Sequence, residues 1–80
     1  MDIDLARHII RVALQNSREL TDLLQLLKQQ LEPHEYKQYA RGIAETIDVT
    51  NQKLTAQALA AFPELSHEME HKLAKYSRFI

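Results

Sequence analysis

The stretch ARHIIRVALQNSRELTDLLQLLKQQL, residues 6–31, places small or apolar side chains at Ala6, Ile10, Ala13, Ser17, Leu20, Leu24, Leu27 and Leu31. The steps alternate four and three without a phase error, which is the repeat of an α-helix laying one narrow seam against a partner. Ile3, Ile9 and Leu23 widen the stripe, and Arg7, Arg11, Arg18 and Gln25 fall opposite it. Asp2 or Asp4 can cap the helix start and complement its positive end. Asn16-Ser17 is the one place where the rod could break, with Ser17 as a new cap, but the unbroken phase favours a single long helix.

The two prolines set the remaining boundaries. Pro33 and Pro63 each suit a first helical turn, and the residue before a proline avoids helical backbone, so Glu32 and Phe62 mark breaks. After Pro33, the residues Tyr36, Ala40, Ile43, Ile47, Thr50, Leu54, Ala58 and Ala61 recur at helical spacing, with a weak point at Thr50-Asn51. Gly42 in mid-helix suggests a close approach of another backbone. After Pro63 the stripe is Leu65, Met69, Leu73, Tyr76 and Ile80. Glu64, Glu68 and Glu70 come first there and Lys72, Lys75 and Arg78 last, an order that complements the helix dipole.

The expected fold is therefore all-α, a single helical domain over 1–80 with helices at about 3–31, 33–61 and 64–78. A first helix of about 28 residues is roughly 42 Å long. Two such rods joined by a one- or two-residue break form an antiparallel helical hairpin, with the shorter C-terminal helix covering part of its groove. The apolar flank of the first rod, Ile9, Leu14, Leu23 and Leu26, exceeds what one short helix can hide. A second copy is expected to cover it, giving a dimeric helical bundle with Tyr76 and Phe79 packing the third helix or the dimer contact. The competing arrangement breaks both rods and folds five short helices into a self-sufficient monomer.

Composition narrows the function classes. A chain of 80 residues buries little core, and with no cysteine it has neither disulfides nor thiolate metal sites to compensate. A formal net charge of -1 gives no general pull toward nucleic acid or anionic membrane. No apolar run reaches the ~20 residues of a bilayer span. The acidic start, Met1-Asp2-Ile3-Asp4, does not look like a signal peptide. A cytoplasmic protein without membrane contact is expected.

Candidate chemistry is sparse. His67-Glu68-Met69-Glu70-His71 matches H-E-x-x-H, which puts two imidazoles on one helix face around a metal, with the glutamate polarising water. His67 and His71 are therefore the candidate metal ligands. Only nine residues follow them, and none is His, Glu, Asp or Cys. His34-Glu35 with Tyr39 reads as helix-start electrostatics, and Ser17, Ser66 and Ser77 have no Ser/His/Asp setting. Arg7, Arg11 and Arg18, beside His8, could contact phosphates, but Asp4, Glu19 and Asp22 bring the local balance near neutral. The expected function is that of a non-enzymatic, dimeric protein–protein interaction or regulatory module with no cofactor. A nucleic-acid-associated regulator and a metal-binding protein are the alternatives.

Overall fold

The computed structural model describes residues 1–69. Those residues are all-α, without a strand, and two of their helices are long. Helix α1 runs Ile3–Gln30, and helix α2 runs Pro33–Thr50. A π-helical segment, Asn51–Thr55, follows, and α3 runs Ala56–Ala61. A further helical turn occupies 65–69. The expected helix over 64–78 lies mostly outside the described residues.

Local chemistry accounts for the ends of α1. Asp2 is the N-cap, its carboxylate accepting the Leu5 N–H at 2.8 Å. Asp4 instead accepts from Arg7 Nη1 at 2.8 Å. The helix does not break at Asn16-Ser17. Ser17 Oγ donates to the Ala13 carbonyl at 3.0 Å and Thr21 Oγ1 to that of Ser17 at 2.8 Å, so both hydroxyls are absorbed inside the helix. Leu31 and Glu32 are extended, as a following proline requires, and the Leu31 N–H closes α1 on the Leu27 carbonyl.

Helix α1 packs along α2, the π segment and α3. The core is small. Ala6, Ile10, Ala58 and Leu65 form its buried cluster, with Ile3, Ile9, Leu14, Leu59, Phe62 and Met69 packed around it. Ala13 and Ile43 are buried beside it. Alanines at the contact let the two backbones come close, and Leu65 supplies the bulk between them.

The second rod does not break at Thr50-Asn51 either; it changes pitch there. Residues 50, 51, 55 and 56 keep right-handed helical backbone, and the Ala56 N–H bonds to the carbonyl of Asn51, five residues back. One extra residue is thereby taken into a single turn. Burial steps from Thr50 to Thr55 instead of Leu54, then on to Ala58. Leu54, expected on the inward stripe, is 45% exposed, whereas Thr55 is 4% exposed. Ala61 is turned out as well. No sequence rule for ideal helices anticipates this, because a stripe at 3.6 residues per turn loses its phase through a turn that holds more.

Gly42 also departs from expectation. A Cβ built on it meets nothing within 4 Å, so no backbone lies against it. Gly42→Ala should therefore raise stability by about 1 kcal/mol, the helix-propensity difference in an open position. Chemical denaturation checks this; a loss of stability would reveal a contact at that site.

Candidate functional site

An open groove of about 720 Å³ lies beside α1. Its apolar surface comes from Ile10, Leu14, Ile47, Leu65 and Met69. The heptad places Ile10 and Leu14 one turn apart on α1, Ile47 reaches in from α2, and the turn at Pro63-Glu64 brings in 65–69. That turn is fixed by Leu65 N–H to the Phe62 carbonyl at 3.0 Å and Ser66 N–H to the Pro63 carbonyl at 3.1 Å.

Arg7, Arg11 and Arg18 all line this groove, so the three arginines singled out from the sequence share one wall. Arg7 is engaged there. Its Nη2 donates to Glu68 Oε1 at 2.9 Å and its Nε to Glu68 Oε2 at 3.0 Å, while Nη1 holds Asp4. This two-pronged contact spans sixty-one positions of sequence and fastens the 65–69 turn to α1. Hydrogen bonding and charge from Glu68, with a smaller contribution from Asp4, hold the Arg7 guanidinium above its ordinary pKa. A cation whose pKa rises on folding stabilises below its unfolded pKa and loses that contribution only as pH climbs through the folded value. Arg7 therefore adds no pH dependence near neutrality. A phosphate at Arg7 would have to displace two carboxylates, which weakens the nucleic-acid reading of this face.

The H-E-x-x-H match falls across the edge of the described residues. His67 is exposed, and Glu68, the residue that would polarise water, is bound to Arg7 instead. His71 lies outside the described residues. Among the described residues no group of three or more His, Cys, Asp or Glu is placed to hold a metal ion. No helix among them is long and apolar enough to cross a membrane.

The expected interaction residues separate onto different sides of α1. Leu14 lines the groove, and Ile9 packs against the core cluster. Leu23 and Leu26 do not line the groove and are 43% and 53% exposed. Tyr76 and Phe79 lie outside the described residues. The residues missed from the sequence are Leu5 and Val12, both exposed and away from the groove. A second four-three spacing was there to find them: Leu5, Ile9, Val12, Asn16, Glu19, Leu23, Leu26.

No known protein family, curated protein or solved structure matches the chain.

Proposed function

We propose that this chain is a non-enzymatic helical interaction module, an antiparallel hairpin that works as a homodimer and serves to hold or regulate another protein. One observation carries the reading. In the leucine-rich stretch from Leu20 of α1 to its cap Leu31, no residue is fully buried. Leu20, Leu24, Leu27 and Leu31 are half-covered, Leu23 and Leu26 are open, and Tyr36 and Ala40 of α2 are no better hidden. A stretch with six leucines in twelve residues is thus left without one fully buried side chain, which is the mark of a surface meant for a partner.

A binding role is supported over a chemical one by the groove, whose exposed surface is mostly apolar and whose Arg7 and Glu68 are engaged with each other. A cytoplasmic setting belongs to the same proposal and rests on the missing cysteines.

Sedimentation equilibrium tests the dimer. A species of twice the 9.3 kDa chain mass is expected at micromolar concentration. The double variant Leu23→Glu, Leu26→Glu should sediment as a monomer with its helix content retained. A wild-type chain that stays monomeric at high micromolar concentration overturns the reading.

A further inference from the structure

We propose that a second copy of this chain docks antiparallel along the outer seam of α1, with Asn16 of each protomer facing Glu19 of the other. The inference rests on the dimer reading and adds to it the face and the direction. The seam is Leu5, Ile9, Val12, Asn16, Glu19, Leu23 and Leu26, again at alternating steps of four and three. It lies one residue out of phase with the inward seam, about 100° around the helix. Four of its members, Leu5, Val12, Leu23 and Leu26, are half of the large exposed apolar residues among those described. None of the four lines the groove. A helix with two adjacent four-three seams suits a bundle in which one seam meets its own chain and the other a second chain.

The polar interruptions decide the direction. Asn16 and Glu19 sit mid-seam and both are exposed in the single chain. In a parallel pair each layer meets its own equivalent, so Glu19 faces the partner's Glu19 across the seam, an arrangement of like charges in a desolvated place. An antiparallel pair instead sets the two kinds of seam position against each other. A two-fold axis between residues 17 and 18 puts Ile9, half-buried against its own core, beside the partner's Leu26, and Val12 against the partner's Leu23. The same axis puts Asn16 against the partner's Glu19, twice by symmetry, so an amide can donate to each carboxylate. From Ile9 to Leu26 every apolar layer meets an apolar one and every polar layer a polar one.

The chain lacks cysteine, so single-thiol variants report on direction directly. Val12→Cys and Leu23→Cys chains are mixed, allowed to exchange, and treated with a short bismaleimide. Leu5→Cys is treated alone. Circular dichroism on each variant checks that the helices remain. Linked Val12→Cys with Leu23→Cys heterodimer is expected in high yield. Leu5→Cys should give almost no linked product, because its two copies would lie roughly 37 Å apart along the helix axis. Efficient linking of Leu5→Cys to itself means a parallel pair and overturns the proposal. A dimer by sedimentation that gives no linked Val12→Cys with Leu23→Cys product also overturns it while leaving the dimer standing. A monomeric wild-type chain overturns both.

Discussion

Leu65→Ala should lower the unfolding free energy by about 2–5 kcal/mol, the usual loss when a buried leucine is cut back and its neighbours cannot fill the space. Leu65 is 2% exposed and is, among the described residues, the one large side chain with almost no contact with water. Its neighbours in the cluster, Ala6, Ile10 and Ala58, include two alanines that have nothing to extend into a hole. A domain of this length holds only about 4–12 kcal/mol in all, so the variant should sit near the edge of folding. The damage should also be uneven. Leu65 and the Arg7–Glu68 contact are what fasten the 65–69 turn to α1, so amide exchange should quicken there before it quickens in the middle of α1. Leu65→Met, which keeps the volume, should cost less than about 1.5 kcal/mol. A Leu65→Ala loss no larger than that of Leu65→Met would mean that this residue does not close the core.

Thr55→Val should act in the opposite direction, raising stability by about 1–2 kcal/mol. The Thr55 hydroxyl is buried without a hydrogen-bond partner, and a buried hydroxyl left unpaired is a net loss that a methyl group removes. The cause is the change of pitch at Asn51–Thr55. Ser17, Thr21, Thr46 and Thr50 each donate to the carbonyl four residues back, at 2.8–3.0 Å. For Thr55 that carbonyl belongs to Asn51, which accepts the Ala56 N–H in the widened turn, and the Thr55 hydroxyl makes no bond to it. Thr50→Val is the matched control. Its hydroxyl is already paired with the Thr46 carbonyl, so its removal should bring no gain. Thermal denaturation resolves the pair readily, since 1 kcal/mol moves the midpoint by about 4–8 °C in a domain of this size. A destabilised Thr55→Val would show that the hydroxyl has a partner in solution.

The all-helical character and the long first rod were legible because they rest on local rules that tertiary contacts did not contradict. Phase was unbroken from Ala6 to Leu31, Asp2 stood one residue ahead of α1, and Pro33 held Glu32 before it extended. The pitch change was not legible, because Thr50-Asn51-Gln52-Lys53-Leu54-Thr55 reads as acceptable α-helix. Nothing local demands five residues in that turn. The grouping of the arginines was half legible. Their shared flank followed from spacing, but the capture of Arg7 by Glu68 depends on where the Pro63 turn sends the chain.

Taken alone, the order of residues determined that the chain is helical, where its first rod starts and stops, and which side of that rod is greasy, since each follows from propensity, capping and a period of 3.6. Only the packed structure decided how much of that side is hidden, which of Leu54 and Thr55 faces inward, and what Arg7 holds. Those outcomes depend on the distance and phase between segments far apart along the chain, which no local rule can carry.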